Sequence, residues 1–473
     1  MAGLLKTRLI TPYQHTGLKW LVAREADVIH PGGFLCDEMG LGKTVQMLAT
    51  MCVNPVRTLI IVPKSIVSQW RDEIVRFTPH FSINVFDGPK RVVTDADITI
   101  APYSVLPTRV GQPICPLLRV KWDRVILDEG HEIRNRRSKT HIAACAIHAR
   151  IRWIMTGTPI FNSMADFASL CGFLGHDRKD VQGIPTHYRE KYVIRRTKLD
   201  VAEHNKRLEL PPCEFQNLEI EMYPEESDLY QEVFYRAQGV IQSVMKSENR
   251  AMHQMEILEA LMRTRQALTW PQTYLDGIAR QTETDPEQWA GRSKKLETLI
   301  ELIESHPAEK TLVFYNFTGE MIEIKKRLGQ REVFRLDGSI GKFERDAAIA
   351  GFKNSTHVPA PVFLIQIKAG GVGINLQEAT RVYITAPSWN PATELQAIAR
   401  AHRTGQTRKV TVRRLVYIGT DRTPSVEQSI MALQAGKATL AANLLNDARL
   451  ETQIPNVTKT KLNIRALAKI FAL

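Results

Sequence analysis

The stretch Asp37-Glu38-Met39-Gly40-Leu41-Gly42-Lys43-Thr44 decides how the chain is read. Small residues let backbone N–H groups wrap a phosphate, a lysine reaches the outer phosphates, and a hydroxyl serves a magnesium ion. Gly40, Gly42, Lys43 and Thr44 supply these features, while Asp37 stands where the generic loop carries its first glycine. Val45–Met51 then reads as a helix whose N-terminal dipole faces the bound anion. Downstream, Arg124-Val125-Ile126-Leu127-Asp128-Glu129-Gly130-His131 is an apolar run ending in two carboxylates. A buried strand that ends this way puts them at the carboxyl edge of a sheet, where α/β proteins bind ligands. Asp128, with Thr44, suits Mg2+ held through water, and Glu129 suits an attacking water that must be oriented or deprotonated.

Working outward, short apolar runs recur at Thr58–Val62, Arg124–Leu127, Arg152–Met155, Thr311–Tyr315, Val362–Ile365 and Arg381–Ile384. Continuous rather than alternating apolar runs suit strands buried on both faces, as in parallel sheets. Helical patterns lie between them, at Ser65–Phe77 and Thr140–Ala149, so the class is α/β. The alternation breaks between Leu199 and Lys310. There Glu225–Leu268 reads as long helices, with Met252, Met255, Leu258 and Met262 as an apolar stripe expected in the core. Pro211 and Pro212 mark a linker just before it.

The composition, 44% hydrophobic and 24% charged, is that of a globular protein and excludes wholesale disorder. Sixty-three Lys and Arg against fifty Asp and Glu leave a charge of +13, which suits a polyanionic partner. None of the six cysteines (Cys36, Cys52, Cys115, Cys145, Cys171 and Cys213) falls in a C-x-x-C pair, so no structural zinc and no disulfide framework is expected. Met1–Ile10 lacks the apolar core of a secretion signal, and no uncharged apolar run is long enough to span a bilayer. The expectation is a soluble, intracellular protein with no membrane partner.

Taken in order, three motifs resemble the first ATPase motifs of the Swi/Snf-like family of helicase superfamily 2. They are the Asp37–Thr44 loop, the Asp128–His131 box, and Trp153-Ile154-Met155-Thr156-Gly157-Thr158-Pro159-Ile160-Phe161-Asn162. Pro12-Tyr13-Gln14, with Gly17 and Trp20, is similar to the family's adenine-recognising segment, which makes Gln14 the base contact. Tyr192–Lys198 resembles the box closing the first lobe, and Leu261–Leu268 and Ser293–Leu296 resemble the family's helical insertion and its exit. Arg335–Ser339, Ala369–Leu376, Trp389-Asn390-Pro391 and Gln396–Gln406 complete the set. The resemblance spans roughly Pro12 to Lys437.

It implies two RecA-like lobes with parallel sheets and a helical insertion at the start of the second. The expected segments are a first lobe over 1–198, a linker over 199–217, the insertion over 218–292, a second lobe over 293–445 and a docking tail over 446–473. The tail reading rests on Ile464, Leu467 and Phe471, spaced as one helical stripe. The resemblance further implies ATP, with Mg2+, bound by Gln14, Asp37, Glu38, Met39, Gly40, Leu41, Gly42, Lys43, Thr44 and Gly373. Lys43, Asp128 and Glu129 would be catalytic, with Arg400 and Arg403 as arginine fingers for the γ-phosphate. Gln366 and Ile367 stand where the family carries Ser and Thr, and Ala386 and Ala399 replace common acidic residues. None of these departures removes a phosphate, metal or finger residue.

For duplex DNA the resemblance offers Pro63, Lys64, Ser65, Tyr103, Ser104 and Lys368. The resemblance also offers Trp70, which reads more as core than as a base-stacking platform, while Arg134, Arg136, Arg137 and Lys139 form a basic cluster that reads equally as a phosphate contact or a solvated face. The function expected is an ATP-driven translocase on duplex DNA that remodels protein–DNA complexes, nucleosomes among them, without separating strands. Its place is the nucleus of a eukaryote or a viral replication compartment. The rivals are a strand-separating DNA or RNA helicase and a nucleic-acid scaffold that binds ATP without turnover.

Overall fold

A computed structural model of the chain describes residues 5–10, 12–89, 91–108, 111, 113–157, 164–202, 210–247, 253–369, 374–403, 405–420, 423–434 and 471. Internal contacts divide the chain into two units between residues 209 and 210, with Phe471 in the second.

The first unit is built on seven strands: β1 (Gly32–Leu35), β2 (Thr58–Val62), β3 (Ile83–Val85), β4 (Ile98–Pro102), β5 (Lys121–Asp128), β6 (His148–Met155) and β7 (Val193–Ile194). They lie in the order β3-β4-β2-β5-β6-β1-β7, and each neighbouring pair is parallel. The two faces sort by residue parity. Leu59, Ile61, Val125, Leu127 and Ile154 share one core, whereas Ile60, Val62, Ile126, Trp153 and Met155 share the other. This double burial is why the strands read as unbroken apolar runs. Only β6 separates β1 from β5, so the segments leaving these three strands emerge at one edge.

A buried polar cluster ties that sheet to its helices. Glu25, at the end of the helix Tyr13–Glu25, receives Arg124 Nε and Nη2 at 2.6 Å each and Trp153 Nε1 at 2.9 Å. Asn54 Nδ2 donates to the same carboxylate at 2.7 Å, and Arg124 also reaches Thr58 Oγ1 and the Asn54 carbonyl. A fully buried guanidinium is tolerable here because a bidentate carboxylate and further acceptors meet its N–H groups.

The second unit holds six parallel strands: β8 (Cys213–Ile220), β9 (Thr311–Tyr315), β10 (Val333–Leu336), β11 (Val362–Gln366), β12 (Arg381–Ile384) and β13 (Val410–Tyr417). Their order is β10-β11-β9-β12-β13-β8. Between β8 and β9 run the helices Pro224–Lys246, Gln254–Thr269, Pro271–Thr282 and Lys294–Glu304. Among the described residues no helix is long and apolar enough to cross a membrane. Phe471 packs on Phe234 with ring centroids 5.1 Å apart, and its carbonyl accepts from Gln238 Nε2 at 2.8 Å. The rest of the expected tail helix lies outside the described residues.

Three expectations need correction. The segment after Pro212 is not linker up to residue 217: β8 begins at Cys213 and pairs with β13 along its whole length. As an edge strand it is mostly half-buried, so it lacks the apolar run that marks the others. The helix expected over Thr140–Ala149 ends at Cys145, and β6 already starts at His148. The methionine stripe does not face the core. Met255, Leu258 and Met262 are 74%, 49% and 41% exposed, while Ile257, Leu261, Thr264 and Leu268 of the same helix are buried. Both stripes have helical spacing, and period alone does not say which one turns inward. Met252 lies outside the described residues.

Candidate nucleotide site

In the first unit the phosphate loop leaves β1 and enters the helix Lys43–Val53. Gly40 has φ 91° and Gly42 φ 72°, left-handed values that a side chain disfavours. A Cβ on Gly42 would also lie 2.6 Å from Gln14 Nε2. Lys43 Nζ donates to the loop's own Asp37 carbonyl at 2.9 Å. The ammonium is thereby folded back onto the carbonyls of Asp37 and Glu38, at the start of the loop. Gly157, leaving β6, sits against this loop, for a Cβ there would collide with Met39 and lie 2.9 Å from Lys43 Nζ.

Asp37, the departure from the generic loop, has a structural reason. Its buried carboxylate accepts from Arg196 N at 3.1 Å and Nε at 2.9 Å, pairs with Arg196 Nη2, and accepts from Gln46 Nε2 at 3.0 Å. Arg196 also donates to the Tyr13 carbonyl and to Gln46 Oε1. Burial and the Asp37 charge push the Tyr13 hydroxyl up to about 12, so it stays a donor, and it donates to the Leu41 carbonyl at 3.0 Å. Glu38 is held in turn by the Lys198 amide at 2.9 Å, with Lys198 Nζ 3.5 Å away. The Tyr192–Lys198 box thus latches onto the phosphate loop through β7, which pairs with β1. Gln14 is buried, its carbonyl oxygen taken by the Ile10 amide and its Nε2 by the Leu41 carbonyl. It braces the loop, and a base contact would be an additional role.

The acidic box follows β5. Asp128 Oδ2 accepts from Trp70 Nε1 at 2.7 Å, and Oδ1 accepts from the Glu129 amide at 2.9 Å. Burial and the neighbouring Glu129 charge push the Asp128 carboxyl up to about 6, against the Trp70 bond and the Lys43 cation. Adjacent carboxylates at the end of β5, together with the hydroxyl of the loop helix, are an all-oxygen donor set of the kind that fits Mg2+. Asp128 and Thr44, in the first turn of the loop helix, would hold it. Glu129 has a left-handed φ of 49°, which turns its side chain out of the strand register toward Thr156 Oγ1 at 3.5 Å and His131 Nδ1 at 3.3 Å. Burial lowers the His131 basicity, but the Glu129 contact and the Glu132 charge outweigh it and hold the imidazole above its usual value.

The segments expected to meet DNA divide. Lys64 and Ser104 are exposed and Pro63 and Ser65 half-exposed, in the 3-10 turns that follow β2 and β4. Tyr103 is a correction: its ring is buried and its hydroxyl donates to the Asp128 carbonyl at 2.8 Å, so the side chain is not offered to a ligand. Arg136, Arg137 and Lys139 are exposed beside the acidic box and Arg134 half-exposed. Trp70 is core, as expected, but its bond to Asp128 was not foreseen.

In the second unit Lys368 is exposed just past β11, while Gly373 lies outside the described residues. Asn390 caps the helix Pro391–Ile398. Glu394 on that helix is held by buried Arg414 at 2.7 Å and by Gln434. Arg400 and Arg403 lie on the turns after this helix rather than on it, Arg400 buried and Arg403 half-exposed. Several family boxes are structural here. Arg265 binds Asn316 and the Pro387 carbonyl, and buried Lys295 pairs with Glu427 at 2.6 Å beside the Tyr417 ring.

Within the Tyr192–Lys198 box the sequence alone gives Arg196 no role, although two adjacent arginines beside the apolar Val193-Ile194 are a signal for a buried acidic partner. Arg196→Ala leaves the Asp37 carboxylate buried beside the phosphates without its cation. The expected outcome is at least a tenfold loss of affinity for a fluorescent ATP analogue, about 1.4 kcal/mol or more, with an earlier thermal unfolding of the first unit. Equilibrium titration and a melting curve check it.

Comparison with known proteins agrees with this layout. Residues 13–182 match the SNF2-related domain and residues 294–405 the helicase conserved C-terminal domain. A putative ATP-dependent helicase/translocase of Bacillus subtilis is 29% identical over 94% of this chain and 50% of its own length. A probable global transactivator of Orgyia pseudotsugata multicapsid polyhedrosis virus is 27% identical over 98% of this chain and 94% of its own length. The ISWI chromatin-remodeling complex ATPase of Saccharomyces cerevisiae is 29% identical, and the chain spans 39% of it. The SWI2/SNF2 ATPase core of Sulfolobus solfataricus, solved in complex with double-stranded DNA, shares 27% identity over 99% of this chain and 97% of that one, with a TM-score of 0.41. With two parallel-sheet α/β units carrying these two domains in order, the chain belongs to the SNF2-related, Swi/Snf-type family of helicase-like ATPases.

Proposed function

We propose that this chain is a DNA-dependent ATPase that travels along duplex DNA and remodels protein–DNA complexes without processive strand separation. The observation that carries the reading is the convergence on one sheet edge of the phosphate loop, the Asp128–Glu129 box and the Thr156–Gly157 turn. Lys43 leaves its carbonyl partners for the β- and γ-phosphates, and the loop amides and the helix dipole take the remaining charge. Asp128 and Thr44 would hold Mg2+, which would supply charge neutralisation on the phosphates. Glu129 positions the attacking water, and its αL backbone and Thr156 fix where the carboxylate points. Arg400 and Arg403 are assigned to the charge that develops on the γ-phosphate.

Duplex DNA is favoured as the track by the family, by the +13 charge, and by the exposed polar turns at Lys64 and Ser104 with Lys368 in the second unit. Pro63 and Ser65 contribute main-chain and hydroxyl groups of the kind that grip a backbone without reading bases. The yeast relative's name supports nucleosomes as one target, and the viral relative, matched over nearly its whole length, supports a viral compartment as one setting. A conventional helicase shares the ATPase motifs, and the Bacillus relative's name keeps that reading in play. A scaffold without turnover is disfavoured by the complete set Lys43, Asp128, Glu129, Arg400 and Arg403.

Glu129→Gln is expected to bind ATP and not turn it over, while Lys43→Ala fails at binding. Arg400→Ala or Arg403→Ala is expected to lower turnover by on the order of a thousandfold while leaving duplex affinity intact. Filter binding and a coupled ATPase assay separate these outcomes. For the track itself, a triplex-forming third strand on a duplex should be displaced in an ATP-dependent way, and a forked duplex should stay paired. ATP-driven opening of the fork without triplex displacement overturns duplex translocation in favour of strand separation.

A further inference from the structure

Asp128 is gripped from both faces of the first sheet. Trp70 belongs to the core that contains Ile60, Ile126 and Trp153, and its indole Nε1 donates to Asp128 Oδ2 at 2.7 Å. Tyr103 belongs to the opposite core, with Leu59, Val125 and Leu127, and its hydroxyl donates to the Asp128 carbonyl at 2.8 Å. Both rings are buried, so neither touches a ligand itself. Each is joined by a short stretch of chain to an exposed polar turn. Trp70 lies in the first turns of the helix Val67–Phe77, which follows the 3-10 turn Lys64–Ile66 without a break. Tyr103 opens the 3-10 turn Tyr103–Val105, whose next residue, Ser104, is exposed.

A buried indole N–H needs an acceptor, and a nearby backbone carbonyl would satisfy it. Here it is spent on the carboxylate assigned to Mg2+, and a second aromatic donor fixes the backbone of the same residue. We infer that Trp70 and Tyr103 are positioning residues that carry duplex engagement at the two turns to Asp128. The inference rests on the proposed DNA-dependent function. Packed aromatic side chains have little freedom, so a turn fixed by DNA fixes the ring behind it, and both rings fix the depth and rotamer of one carboxylate. A misplacement of an ångström at such a group costs large factors in rate. Linkage then requires that duplex and nucleotide alter each other's affinity by the same factor.

Trp70→Phe keeps a buried ring and removes the N–H, and Tyr103→Phe removes only the hydroxyl. Three quantities are read for the full chain and each variant. They are the ratio of duplex-stimulated to basal ATPase rate, the affinity for a non-hydrolysable ATP analogue with and without a short duplex, and the melting temperature. The expected result is a stimulation ratio lowered by on the order of tenfold and a duplex–nucleotide affinity factor reduced toward one, while duplex affinity without nucleotide stays near that of the parent. A ratio and factor equal to the parent's overturn the inference. So does an equal proportional loss of basal and stimulated rates together with a lowered melting temperature, which is what a packing role alone produces. The parent chain decides the underlying reading separately: if duplex neither binds nor stimulates it, the DNA-dependent function falls, whatever the variants do.

Discussion

The buried carboxylate of Asp37 is the constraint on which the nucleotide site depends. It stands where a phosphate loop ordinarily has a glycine, and it gathers Arg196, Gln46 and, through Arg196, the Tyr13 carbonyl. The opening helix, the loop helix and the sequence-distant box that closes the first unit are thereby all held to one loop. Removing one member of such a buried pair typically costs about 3–5 kcal/mol, because the other is left charged and unpaired. The same arrangement explains why Arg196 and Glu38 sit where they do. Arg196 neutralises Asp37, and Glu38 fastens the next turn through Lys198.

Around that anchor, parallel strand order does the positioning. β6 lies between β1 and β5, so the loop, the carboxylates and Thr156 must converge at one edge, whatever the intervening chain does. The buried cluster of Glu25, Arg124 and Trp153 fixes those strands to the opening helix deeper in the unit. In the second unit the pairs Glu394–Arg414 and Lys295–Glu427 serve the same purpose, each neutralised and hydrogen-bonded out of water. Residues that look like functional signatures in sequence therefore include some whose visible task is to hold strands and helices in place.

Much of this was legible in the chain itself. Thr58–Val62, Thr311–Tyr315 and Arg381–Ile384 are strands with the limits their apolar runs suggest, because burial on both faces leaves an unambiguous pattern. The Lys43 charge is felt at Asp128, and Glu129 follows it at the end of β5, an arrangement that the order of the motifs already suggests. What was hidden depends on tertiary partners. β1 is short and begins with two glycines, and β8 is a half-buried edge strand, so neither carries a hydrophobic signature. The stripe of Met255, Leu258 and Met262 has the right period and the wrong side. Trp70 reads as core and Tyr103 as a DNA contact, and nothing in the sequence says that both point their donors at Asp128.

If the carboxylate box answers to duplex DNA, steady-state ATP hydrolysis by the whole chain must depend on the form of nucleic acid supplied. The direct measurement sets the rate without nucleic acid beside the rates with single-stranded DNA, duplex DNA and RNA, all at one salt concentration, since phosphate contacts weaken steeply with salt. The expected result is the highest rate with duplex DNA, whatever its sequence, and little stimulation by RNA. Stimulation by RNA or single-stranded DNA equal to or above that by duplex, or a rate indifferent to all three, contradicts it.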